Sequence, residues 1–185
     1  MEVTRYTLWQ IFPRVMTMPR SGWLMVKDHG PAPEIATLRF LLPVCLLTGA
    51  SEFLTLLYPG EHSFTGLLVA AVISFCAFFI GYYVALVLEK LFLPGTVKEL
   101  PSSPYGKLLT MNGVASLALF HILYRALPML DFLIEFMPLW TVFITYRGLA
   151  IADISHEKYP LSLGVMCVVI VCAPMLTEWI LTLFT

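Results

Sequence analysis

The stretch GLLVAAVISFCAFFIGYYVALVL, from Gly66 to Leu88, runs for 23 residues without a charged side chain. A hydrocarbon core of about 30 Å takes about 20 apolar residues of helix, so this stretch reads as a membrane span. Four more apolar stretches flank it, at Ile35 to Tyr58, Leu108 to Leu127, Met129 to Tyr146 and Pro160 to Phe184. Apolar residues make up 59% of the chain and charged residues 12%, which leaves no room among 185 residues for a separate soluble module. The expected fold is all-α and polytopic. Five transmembrane helices fill residues 35–185, behind an amphipathic segment over residues 1–34. The Pro- and charge-bearing segment ahead of Ile35 does not read as a cleavable leader, so the first span is expected to act as its own insertion signal.

Charge sorts by side. Arg5, Arg14, Arg20, Lys27 and Arg39 precede or open the first span. Lys90, Lys98 and Lys107 fall between spans two and three, and Arg147 and Lys158 between spans four and five. Arg125 stands alone on the opposite side. The positive-inside rule makes the side with ten of the eleven basic residues cytoplasmic, which predicts the N-terminus in and the C-terminus out. Nothing in this distribution suggests a nucleic-acid partner; membrane lipids are the expected surroundings.

In the preface, Leu8, Trp9, Phe12, Val15 and Met16 recur at three- and four-residue spacing, with Gln10, Arg14 and Thr17 on the other face. This predicts an amphipathic helix at the membrane interface. Pro13 predicts a kink or a new first turn, and Pro19 predicts the N1 position of a second short helix through Trp23 to Val26. Two readings stay open: a helix that senses the membrane surface, or a collar packed under the bundle. The run Gly30-Pro31-Ala32-Pro33 turns the chain into the first span.

Gly66, Ala70, Ser74, Ala77, Gly81 and Ala85 form a seam of small residues on the second span. Such seams let helices approach closely where lipid removes the hydrophobic drive, so this helix is expected at the centre of the bundle, with a homo-oligomer contact as the other use. Pro43 and Pro174 predict local kinks. Cys45, Cys76, Cys167 and Cys172 all lie in predicted spans and read as small core residues. Neither a CxxC pair nor His/Cys spacing points to a metal or a disulfide, and no cofactor is implied. Asn112, the one amide inside a span, is expected to bond a neighbouring helix.

Ionisable residues inside membrane spans cost on the order of 3 kcal/mol at a helix centre, so each needs a reason. Glu52 falls about 25 Å and Glu178 about 27 Å along their spans. His121 and Arg125 share a face of span three, and Asp131 and Glu135 share one at the start of span four. These six residues project to the outer third of the bundle. Arg125 is the only cation there, so one reading is a polar, outward-facing cavity in which His121 and a carboxylate exchange charge. The other is structural: Arg125 pairs with one acid while the rest snorkel to the interface.

Catalysis is not indicated. Asp131 and Asp153 lie near membrane ends, not facing each other within spans as an intramembrane aspartyl protease needs. No HExxH, Ser/His pair or Gly-rich phosphate loop occurs.

Several stretches, in order, resemble the Yip-domain (Ypt/Rab-interacting protein) family in its compact bacterial branch. They are Pro19-Arg-Ser-Gly-Trp23, Arg39-Phe-Leu-Leu-Pro43, Gly81-Tyr-Tyr and Leu139-Trp-Thr-Val-Phe-Ile-Thr-Tyr-Arg-Gly148. The longer N-terminal region and the Asp-Leu-Tyr-Gly-Pro motif of eukaryotic members are absent. The resemblance implies a five-span fold, a bacterial cytoplasmic membrane and a non-enzymatic role in membrane organisation through a membrane or peripheral protein partner. Trp9, Arg14, Pro19 and Trp23, with the family-like Tyr146, Arg147 and Gly148, are the expected docking residues. A small lipid- or solute-handling protein using the outer polar cluster is the alternative.

Overall fold

The structure, a computed structural model, describes residues 6–58, 63–130, 132, 136–152, 154–155 and 157–184. It is 87% helical, without a strand among the described residues. Two short helices, α1 (Leu8–Thr17) and α2 (Pro19–His29), form a hairpin ahead of the bundle. Then follow α3 (Pro33–Leu57), α4 (Phe64–Phe92), α5 (Pro104–Ala126), α6 (Met137–Leu149) and α7 (Tyr159–Thr182). Prolines open five of these seven helices: α2, α3, α5, α6 and α7. A first-turn N–H has no intrahelical acceptor, so proline loses nothing there. The Ser103 hydroxyl caps α5 by accepting from the Gly106 N–H at 3.0 Å.

Four helices, α3, α4, α5 and α7, are long and apolar enough to cross a membrane. The fourth apolar stretch of the sequence, Met129 to Tyr146, contributes a short 3-10 turn at Pro128–Leu130 and then α6. With 13 residues α6 is about 20 Å long, less than a bilayer core.

The hub of the bundle is α5, not the helix with the small-residue seam. In the most apolar 18-residue stretch of each helix, 67% of residues are buried in α5 and only 28% in α4, although α4 is the more apolar of the two. The reason is the solvent. Lipid tails are as apolar as leucine, so an apolar surface gains nothing by turning inward, whereas small and polar side chains do. Helix α5 buries Thr110, Asn112, Gly113, Ala115, Ser116 and Ala118 against its neighbours. Ser116 and Thr141 join α5 to α6 through hydroxyls 2.7 Å apart. Asn112 bonds its own helix, donating to the Leu108 carbonyl at 2.7 Å, not to a neighbour as expected.

The seam of α4 is used along part of its length. Ser74, Ala77, Gly81 and Ala85 are buried, Ala70 is half-buried and Gly66 is exposed. Helix α7 makes the most extensive contact with α4. At their crossing a Cβ on Gly81 would stand 2.9 Å from the Pro174 Cα, so only glycine admits this approach.

The preface is a collar. Leu8, Ile11, Val15, Trp23 and Val26 are buried on the bundle, while Arg14 and Thr17 face outward. Helix α1 continues through Pro13, and Pro19 starts α2 as expected. Three indoles rivet the collar. Trp9 donates to the Arg39 carbonyl at 2.8 Å, Trp23 to the Ile144 carbonyl at 2.8 Å, and Trp140 to the Met16 carbonyl at 3.1 Å. The first has a local cause. Pro43 has no N–H for the carbonyl four residues back, which is that of Arg39, and the chain widens to a π turn over Thr37–Leu41. The indole of Trp9 supplies a donor there.

Candidate functional site

The outer polar residues converge on Glu52. This side chain lies in the 3-10 turns that end α3 and is 2% exposed. Its Oε1 accepts from the Ser74 hydroxyl at 2.6 Å and lies 2.9 Å from His121 Nε2. Its Oε2 is 3.0 Å from Arg125 Nη2. One helical turn separates His121 from Arg125, so both reach the same carboxylate from α5. The His121 ring meets the Phe78 ring edge-on at 5.6 Å, and the Arg125 guanidinium lies 5.9 Å from the centre of the Tyr124 ring. Below them Tyr58 donates its hydroxyl hydrogen to the Ala126 carbonyl, one of those left open at the end of α5.

Three helices are thus clamped at one point by a buried, multiply bonded carboxylate. Desolvating such an ion costs several kcal/mol, which the cation and the hydrogen bonds offset. Arg125 pairs with one acid, Glu52. Glu52 does not reach out to the interface as a snorkelling residue would. Ser74 belongs to the clamp as well as to the seam; a serine four residues from neither charge nor amide gave no sequence signal for that.

Glu178 takes no part in the clamp and has no ion-pair or hydrogen-bond partner among the described residues. It lines a cleft of about 240 Å³ with His121, Tyr124, Phe78, Pro174 and Met175. Asp131 and Glu135 lie outside the described residues.

A second buried carboxylate, Glu89, sits near the opposite end of the bundle and is fully buried. Its Oε2 accepts from the Thr110 hydroxyl at 2.7 Å, and its Oε1 has no partner among the described residues. A span ended at Leu88 hides this residue. The signal that finds it is its phase: it follows Ala85 by four residues and so continues the small-residue seam into α5.

The expected docking residues divide in two. Trp23 is fully buried, its ring T-shaped on Tyr105 at 6.0 Å, and is a core anchor with no surface to offer. Gly148 is the notch that admits it, since a Cβ there would meet both the Trp23 ring and Leu109 at 2.8 Å. The Gly148 carbonyl accepts from the Tyr105 hydroxyl at 2.8 Å. Pro19 is half-buried. Trp9, Arg14, Tyr146 and Arg147 remain exposed, with the Arg147 guanidinium 5.2 Å from the centre of the Phe143 ring. Tyr146 and Arg147 stand beside the half of α5 that holds Tyr105 and Leu109, away from the clamp, since Gly148 next to them packs on those two residues.

Among the described residues no three His, Cys, Asp or Glu side chains are grouped as metal ligands. No protein-family model, curated protein or solved structure matches the chain.

Proposed function

We propose that this is a non-enzymatic integral membrane adaptor, of the kind the Yip-like stretches imply, that docks a membrane or peripheral protein on its preface end. The observation supporting it is a rigid, basic and aromatic surface at that end. Arg14, Arg20, Lys27, Arg39, Lys90, Lys98 and Arg147 are exposed there, while buried Trp23 and the indole bonds hold the collar in place. Lys27 also donates to the Ile151 carbonyl at 2.9 Å, tying α2 to the link between α6 and α7. Such a surface recognises an acidic partner by complementary charge. In this proposal the preface end is cytoplasmic, the membrane is a bacterial inner membrane, and the Met129 to Tyr146 stretch makes a fifth crossing through α6.

Two experiments test it. Purification in gentle detergent from the native membrane, with mass spectrometry, recovers a stoichiometric partner. Charge reversal at Arg14, Arg20 and Arg147 together removes that partner without lowering membrane insertion, and unchanged recovery refutes docking at this face. Tags at the two termini report opposite sides for five crossings and the same side for four.

The cleft beside the clamp favours a second reading, in which the protein handles a lipid or solute at its outer end. Its support is Glu178, a carboxylate without a partner among the described residues, in an otherwise largely apolar cleft. Glu178→Gln then changes lipid or solute retention with expression intact; a variant that merely unfolds removes that support.

A further inference from the structure

We propose that the groove between α1 and the first turns of α3 is a binding site for one anionic phospholipid, with its phosphate on Arg39. The inference rests on the membrane reading of the chain and not on the adaptor role.

The groove has a volume of about 380 Å³, more than ten times the roughly 30 Å³ share of a water molecule. Its walls include Tyr6, Trp9, Ile35, Ala36 and Phe40, and Arg39 stands at its rim. Trp9 is fixed, because its indole N–H is held by the Arg39 carbonyl at 2.8 Å and its ring stands edge-on to Phe40 at 5.1 Å. The floor of the groove is therefore preorganised by the same proline-induced opening of α3 that seats the collar.

Two features select the occupant. The first is charge. Among the described residues the exposed Arg39 side chain has no ion pair or hydrogen bond, and none of those that line the groove is acidic. The nearest acid in sequence, Glu34, is 3.6 Å from Lys107 and already has its cation. The described lining thus carries one positive charge without a counter-charge and calls for an anion. The second is the surface next to it. Ile35, in the groove wall, is 51% exposed and Leu38 beside it 66%, on the face that α3 presents to lipid, so an acyl chain of the bound molecule can lie along it. Guanidinium and indole together at the membrane interface suit a headgroup phosphate with its glycerol and first methylenes below it. Free phosphate shares the headgroup chemistry but leaves the apolar walls uncovered.

The test uses the full chain, delipidated in detergent, with native mass spectrometry during addition of phosphatidylglycerol or phosphatidylcholine of identical acyl chains. One phosphatidylglycerol is retained at concentrations at which phosphatidylcholine is not. Arg39→Gln weakens that retention about fivefold, the factor that one interfacial arginine supplies. Arg39→Lys keeps most of it. Because Arg39 is exposed and unpaired, the Gln variant keeps the wild-type unfolding temperature, so loss of the lipid is not loss of the fold. Equal retention of the two lipids, or undiminished retention by Arg39→Gln, overturns the proposal. Displacement of the lipid by glycerol phosphate at similar concentration also overturns it, in favour of a soluble phosphate ligand. Partner recovery is a separate readout and can fail without touching this result.

Discussion

Replacing Arg125 by methionine removes the cation 3.0 Å from Glu52 Oε2 and leaves a carboxylate whose side chain is 3% exposed with Ser74 and His121 alone. Breaking a fully buried ion pair from one side costs about 3–5 kcal/mol, because the remaining charge stays desolvated. The Arg125 side chain is 31% exposed, so polar surroundings already screen part of the attraction. The expected loss is therefore about 2–3 kcal/mol, below the range for a wholly buried pair. For a chain of this size that lowers the midpoint of thermal unfolding by about 4–12 °C. Replacing Glu52 and Arg125 together by methionine leaves no unpaired charge and exchanges like volumes, so the double variant loses less than about 1.5 kcal/mol. The midpoint can be followed in detergent by thiol labelling of Cys45, which is fully buried, after Cys76, Cys167 and Cys172 are changed to alanine. An Arg125→Met midpoint equal to that of the parent refutes the clamp. So does a double variant less stable than either single one, because the energy would then lie in packing and not in the pair.

Three further outcomes follow from the packing. Gly81→Ala drives a Cβ to 2.9 Å from the Pro174 backbone and should cost about 1–3 kcal/mol, whereas Gly66→Ala meets only Ser63 at 3.7 Å and should be neutral or slightly stabilising. Equal thermal midpoints for these two variants would contradict the crossing of α4 and α7. Gly148→Ala should unseat Trp23 and cost about 1–3 kcal/mol, with a red-shifted tryptophan emission as the collar loosens. An unchanged spectrum and midpoint would mean that the notch is not needed. Glu89→Gln keeps an acceptor for the Thr110 hydroxyl and removes a carboxyl group that has no cation among the described residues, so stability should hold or rise in the same unfolding assay. A loss above about 1 kcal/mol would reveal a charged partner for Glu89.

The pairing of Arg125 with an outer acid is legible in the sequence because one cation among several carboxylates, all at helix ends, leaves few arrangements. Which acid it takes is not legible. Glu52 and Glu178 project to similar depths along their spans, and only the rotations of α3 and α7 about α5 turn Glu52 onto Arg125 and Glu178 toward the cleft. Trp23 shows the same limit. In sequence an indole beside basic residues looks like a surface anchor, and its burial depends on a glycine 125 positions later.

By itself the sequence determined that the chain is helical and lives in a membrane, since a bilayer sets the length and apolarity of any helix that crosses it and the stretches can be measured against that ruler. It also determined the start of α2 at Pro19, because proline acts on the backbone within one turn. The tertiary structure alone decided which helix is the hub, which acid is buried and that the apolar face of the preface lies on the bundle. Those depend on small side chains and hydrogen bonds meeting across helices, and in lipid the apolar pattern that marks an interior in water carries no such information.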